Sequence, residues 1–205
     1  MFENERLELL KKVILLKNSI AANPNIDDQE VLVSAYNLLD DYNETIKDSS
    51  VCSKGCGYCC YIPVGITYIE ARYINDINAV NKNQKIKINN EKQEPDIALR
   101  KYEEGEYYGK CPFLNDKNEC DIYNARPFVC RTFHTTDDSS FCKREFNAIL
   151  ENKKAILENP EKFTHSTIHE NCDYILRLLH DIILISNQKY GNYFLKDIRE
   201  FFPIL

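Results

Sequence analysis

Between Glu3 and Ala22 apolar residues fall at Leu7, Leu10 and Ile14, and again at Leu9, Val13, Leu16 and Ile20. That is a broad face at the 3.6-residue period, and it predicts a helix. Asn23-Pro24-Asn25 ends it, since these residues favour a turn over continued helix. A second helix starts after Asp27 or Asp28, with Val31, Ala35, Leu38, Leu39, Tyr42 and Ile46 at helical spacing, and the pair reads as an antiparallel helical hairpin. Periodicity then disappears between Lys47 and Pro63, where glycines and cysteines replace apolar bulk. It returns over Thr67 to Val80, with Ile69, Tyr73, Ile77 and Val80 on one side.

Asn81 to Glu106 is polar and reads as a loop with one helix around Asp96 to Glu104. Asn115-Asp116-Lys117-Asn118 separates two short apolar pieces and predicts a turn in a small hairpin that presents Cys111 and Cys120. Asp137-Asp138-Ser139-Ser140 offers capping oxygens for a helix from Phe141 to Glu158, striped by Cys142, Phe146, Ile149, Leu150 and Ile156 and stopped before Pro160. A last long helix runs from Thr167 to Asn187 on Cys172, Ile175, Leu176, Leu179, Ile182 and Ile183, followed by a short segment ending Phe201-Phe202-Pro203-Ile204-Leu205. No internal repeat is visible.

These elements predict a mainly α protein. A helical bundle carries an irregular cysteine-rich metal-binding module with at most a short β-hairpin, in a single domain over 1–205. Within it, 1–47 is the helical hairpin, 48–135 the cysteine-cluster module and 136–205 the C-terminal helices.

Composition narrows the function. Apolar residues make up 43% of 205 and charged ones 28%, enough to bury a core without disulfide staples. A formal charge of −6 argues against nucleic acid as a partner, because that affinity accumulates from Lys and Arg contacts with phosphate. Lys82, Lys85, Lys87 and Lys92 read as a solvated face. The run Val13-Ile14-Leu15-Leu16 is too short for a signal-peptide core. Tyr174 to Ile185 is interrupted by Arg177, His180 and Asp181 and falls short of the roughly 20 residues a membrane span needs. The expectation is a cytoplasmic protein with no membrane association. In that reducing compartment nine cysteines point to metal or redox chemistry rather than to disulfides.

Seven of the nine concentrate between Cys52 and Cys130. The first group reads Cys52-Ser-Lys-Gly-Cys56-Gly-Tyr-Cys59-Cys60, and the second comprises Cys111, Cys120 and Cys130. Cys52, Cys56, Cys59, Cys60, Cys111, Cys120 and Cys130 are the candidate metal ligands, because scattered core thiols rarely share such spacing. A structural zinc takes four ligands and an iron-sulfur cluster usually takes four thiolates, so seven exceed one ordinary site. Either two centres form or some thiols are spare, and vicinal Cys59-Cys60 sharpens that choice. Iron-sulfur cluster and zinc both stay open.

A first group ending in Cys-Cys, then Cys111-Pro112-Phe113-Leu114, Cys120-Asp121-Ile122-Tyr123 and Arg126-Pro127-Phe128-Val129-Cys130-Arg131 resembles the YkgJ-type cysteine-cluster proteins, regarded as zinc- or iron-chelating. The match runs from Cys52 to Phe133. One departure concerns Cys52, which has three residues between it and Cys56 where the family often has two. A related cysteine pattern in the flagellin lysine-N-methylases implies that such a cluster can accompany methyl transfer. No G-x-G-x-x-G marks a separate dinucleotide-type domain.

Other side chains carry two readings each. Arg126 and Arg131 bracket Cys130 and either offset thiolate charge or form surface salt bridges. His134 is a reserve ligand or an ordinary hydrogen-bonded histidine. His165, His169 and Cys172 at i, i+4 and i+7 would make a second site, against the reading of Cys172, like Cys142, as a buried inert thiol. Tyr58, Tyr61, Tyr107 and Tyr108 shield the centre or simply pack. Two functions follow from the sequence: a metal-centre enzyme in methyl transfer or redox chemistry on a protein or small-molecule substrate, or a non-catalytic zinc-stapled module. In the second, the helical surface and the apolar C-terminal tail would bind a protein partner.

Overall fold

Asp27 opens the second helix by accepting the backbone N–H groups of Gln29 and Glu30 at 2.9 and 3.0 Å. The computed structural model of the chain describes residues 2–50, 52, 55–82, 88–89, 100–101, 104, 106, 109–134, 142–143, 173–190 and 196–203. Among them α1 covers Phe2–Ala22 and α2 Asp28–Ile46, joined by the expected Asn-Pro-Asn turn. α3 covers Tyr68–Lys82, α4 Phe128–Thr132, α5 Tyr174–Asn187 and α6 Ile198–Phe201. Strand β1, Gly65–Ile66, pairs antiparallel with β2, Lys196–Asp197, with Gly65 opposite Asp197 and Ile66 opposite Lys196. The fold is therefore mainly α, with very little sheet.

One core lies where α1, α2 and α5 meet. Leu9 and Val13 of α1, Leu32, Tyr36 and Leu39 of α2, and Leu179, Ile182 and Ile183 of α5 are buried there. α1 uses a narrower stripe than its pattern allows, since Leu7 and Leu15 stay 51% and 67% exposed. Asp173 caps α5 through the N–H of Ile175 and also takes the Tyr42 hydroxyl, so one carboxylate fixes both the start of α5 and its seat on α2.

A second core belongs to the cysteine module. Val64, Ile66, Ala71, Ile74, Phe113, Leu114, Ile122, Ile198, Phe201 and Phe202 are buried together, and Phe113 meets Phe202 edge-on at 4.9 Å. α3 serves both cores, giving Ile69 to the first and Ala71 and Ile74 to the second. Its start is a capping box: Glu70 accepts the Thr67 N–H at 2.8 Å and the Thr67 hydroxyl accepts the Glu70 N–H at 3.3 Å.

One sequence expectation is revised. Phe201 and Phe202, read as part of an apolar partner surface, are 3% and 2% exposed and are consumed by the chain's own second core. The last long helix is described only from Tyr174, with its cap at Asp173, and 167–172 lie outside the described residues. Of the expected helices over 96–104 and 141–158, residues 100–101 and 142–143 are helical and most of the remainder lies outside the described residues. No helix among the described residues is long and apolar enough to cross a membrane.

Candidate metal centre

The first cysteine group is built on tight backbone. Gly55 sits at φ +93°, a left-handed conformation that suits glycine. Gly57 lies against the second group so closely that a Cβ there would be 3.0 Å from the carbonyl oxygen of Asn118. Tyr58–Tyr61 forms a 3-10 turn, closed by Cys60 N–H to Gly57 O at 3.1 Å, which sends Cys59 and Cys60 off in different directions.

The second group is a hairpin followed by two short turns. Leu114 and Cys120 form an antiparallel bridge, and the Asn115 side chain closes the turn by accepting the N–H groups of Lys117 and Glu119 at 2.9 and 3.0 Å. Tyr123–Ala125 is a 3-10 turn, and Pro127 leads into α4, which carries Cys130. Backbone bonds stitch the groups together: the Cys111 N–H donates to Cys60 O at 2.8 Å and the Gly109 N–H to Tyr61 O at 2.9 Å.

All seven predicted cysteines line one cavity of about 80 Å³. Cys52 is exposed at its edge, Cys111 is buried and the others are half-buried. Cys142, read from sequence as a core thiol, is buried as expected but forms part of the same wall, which makes eight cysteines around one space. Arg126, Tyr123, Phe133 and Ile198 complete much of the lining. Among the described residues, no three Cys, His, Asp or Glu groups stand close enough to hold one metal ion. His165, His169 and Cys172 lie outside the described residues, as do Tyr107 and Tyr108.

Burial dominates the thiol chemistry. It pushes Cys111 up to about 12 and Cys120 up to about 11, and it holds Cys130 well above the ordinary thiol value. Cys56 is raised for the same reason. The vicinal pair behaves oppositely at its two sulfurs. The Cys59 S–H donates to Cys60, which raises Cys59 and lowers Cys60, and the charges of Arg126 and Arg199 lower Cys60 further. Cys60 is the thiol best prepared to ionise. The two sulfurs of the pair therefore differ in how readily they lose a proton.

The two arginines flanking Cys130 also divide. Arg126 faces the cavity, with its guanidinium 3.8 Å from the Tyr123 ring centroid. Arg131 does not line the cavity; it grips Asp40 at 2.7 and 2.9 Å, donates to the carbonyl of Arg126 and lies over Tyr36. His134, the reserve ligand, lies instead in an adjoining polar groove. Its Nε2 donates to Arg131 O at 2.9 Å, and its Nδ1 then accepts the Ser50 hydroxyl at 3.1 Å. Arg199 and Asp197 of the C-terminal segment went unsuggested by the sequence, because no local motif marks a residue that reaches the site through long-range pairing.

The donor set suits a thiophilic metal: abundant thiols around one small space, with one of them, Cys60, lowered by its neighbour Cys59 and by two nearby guanidinium charges. This is the arrangement of a cysteine-cluster metal-binding protein. Residues 51–172, more than half of the chain, match the family model CxxCxxCC, "Putative zinc- or iron-chelating domain", and the chain belongs to that family. No curated protein and no solved structure matches it.

Proposed function

We propose that the cavity binds zinc or iron through thiolates drawn from Cys52, Cys56, Cys59, Cys60, Cys111, Cys120 and Cys130, and that the loaded centre keeps a position open to a substrate. The observation that carries this reading is the shared wall: every one of these cysteines borders one cavity, and Cys52 at its edge also borders the polar groove of Ser50, Arg126 and His134. A staple would leave no reason for an approach of that kind. The module also has its own hydrophobic core and its own backbone ties between the cysteine groups, which lessens the need for a purely structural metal.

In this reading the reducing cytoplasm keeps the thiols available, the metal is zinc or an iron-sulfur cluster, and the chemistry is methyl transfer or redox on a protein or small molecule. The alternative, a zinc-stapled interaction module, draws support from the exposed Leu7, Ile14 and Leu15 of α1.

Anaerobic purification followed by metal analysis tests the proposal. Stoichiometric zinc, or iron with broad visible absorbance, is expected in the wild-type protein. Replacing Cys56, Cys60, Cys111 or Cys130 with Ser should each lower metal content. Full retention in all four variants would overturn the ligand assignment.

A further inference from the structure

Arg199 stands outside the family-matched segment, on the short helix α6, yet its guanidinium reaches into the cysteine module. One Nη donates to three backbone carbonyls: Cys60 at 3.4 Å, Ile62 at 3.2 Å, and Gly109. The first two lie in the Cys56–Cys60 segment and its continuation, and the third lies two residues before Cys111. The other Nη is held by Asp197 at 3.1 and 3.2 Å.

Asp197 is itself fixed. Its side chain is 3% exposed, it accepts the Val64 N–H at 2.8 Å and it caps α6 through the Arg199 N–H at 2.9 Å. Ile198 donates its N–H to Val64 O and puts its side chain in the cavity wall.

We infer that Arg199 is a positioning residue that clamps the two thiol-bearing segments to each other, so that residues 196–203 are a working part of the metal site. The geometry fits no looser role. A guanidinium offers several donors in a rigid fork, and here they are divided between carbonyls of both segments and a buried carboxylate. A hydrophobic dock would need only Ile198, Phe201 and Phe202. Without the fork, the Cys60 and Cys111 segments keep their two direct backbone bonds but lose the bridge across them.

Only the metal arm of the test rests on the proposed metal-binding function. In metal-free protein, exchange of individual backbone amide hydrogens is followed by NMR for wild type, Arg199→Gln and Arg199→Lys. Losing hydrogen bonds to a charged donor should make the Gly109 and Cys111 amides, which bond to Tyr61 O and Cys60 O, exchange roughly tenfold or more faster in Arg199→Gln. The Arg131 and Phe133 amides of α4, which Arg199 does not touch, should change less than about twofold by the same reasoning. Arg199→Lys, which keeps the charge and a single donor point, should fall between. Unchanged rates, or equal acceleration of all four amides, would overturn the clamp. If Arg199→Gln does not fold, the same comparison is read from Arg199→Lys. In the metal arm, zinc-loaded variants should release zinc to a chelator faster than wild type, and equal release would count against the clamp. A wild type that takes up no metal, with the exchange pattern as expected, would sink the metal reading and leave the clamp standing.

Discussion

The carboxylate of Glu70 accepts the backbone N–H of Phe128 at 2.7 Å, which ties the first turn of α3 to the start of the helix that carries Cys130. The same side chain takes the Tyr36 hydroxyl at 2.9 Å and both the N–H and the hydroxyl of Thr67, and it is 2% exposed. One buried carboxylate thus joins α2, α3 and α4. Glu70→Ala should cost about 3 kcal/mol, because it strands several buried donors, and Glu70→Gln about 2, since an amide satisfies only some of them. Urea unfolding measures both, and a loss below 1 kcal/mol in Glu70→Ala would contradict this role.

Arg131 and Asp40 should respond unequally. The arginine side chain is 6% exposed and serves two backbone carbonyls besides Asp40, whereas the aspartate is 57% exposed. Arg131→Ala is expected to lose about 3 kcal/mol and Asp40→Asn about 1 or less, since the buried partner also leaves its carbonyl acceptors unpaired. Equal losses, measured by denaturant midpoint, would mean that the ion pair itself dominates.

Gly57 and Gly55 fail for different reasons. At Gly57 a methyl group would meet Asn118 O at 3.0 Å and Leu114 Cδ1 at 3.1 Å, and a backbone oxygen cannot swing aside. Gly57→Ala should cost about 1–3 kcal/mol as overpacking and loosen the contact between the cysteine groups. At Gly55 none of the described residues comes within 4 Å of an added methyl group, so Gly55→Ala should cost the left-handed backbone penalty of about 1–2 kcal/mol. Metal release to a chelator separates them, with the Gly57 variant expected to be faster.

Alkaline pH should weaken the metal-free fold. Burial raises Cys111 to about 12 and Cys120 to about 11 from an ordinary 9.0, so between those values the unfolded chain gives up protons that the folded chain keeps. Stability from these groups is complete below pH 9 and falls as pH rises through 11 and 12. Buried Tyr36 and Tyr42, also raised, act in the same direction. Thiolate absorbance should appear at higher pH in native than in urea-unfolded protein. Metal binding runs the other way: the ligands must shed protons, so apparent affinity should increase with pH. Coincident native and unfolded titrations would refute the burial argument.

The helices were legible where local chemistry marks them. Asp27, Pro24 and the stripe of Val31, Ala35 and Leu39 set α2 without reference to anything distant, and the clustering of seven cysteines pointed to metal chemistry while leaving one centre or two open. Periodicity could not choose between the two stripes of α1. Leu9 and Val13 are buried while Leu7 and Ile14 are not, and the neighbouring helices made that selection. Nor could it show β1 and β2, two-residue strands whose pairing joins residues 65–66 to 196–197. Cys142 looked like a simple stripe residue because the wall it completes comes from other parts of the chain.

That long-range pairing imposes an order on biosynthesis. Translation at roughly 5–20 residues per second leaves on the order of ten seconds between the appearance of Cys60 and that of Lys196 and Asp197. Through that interval the cysteine segments exist without the strand that closes over them. The nascent protein therefore passes through a stage in which its thiols are open to whatever metal donor or oxidant the ribosome's surroundings supply, and the arrival of β2 and α6 ends that stage.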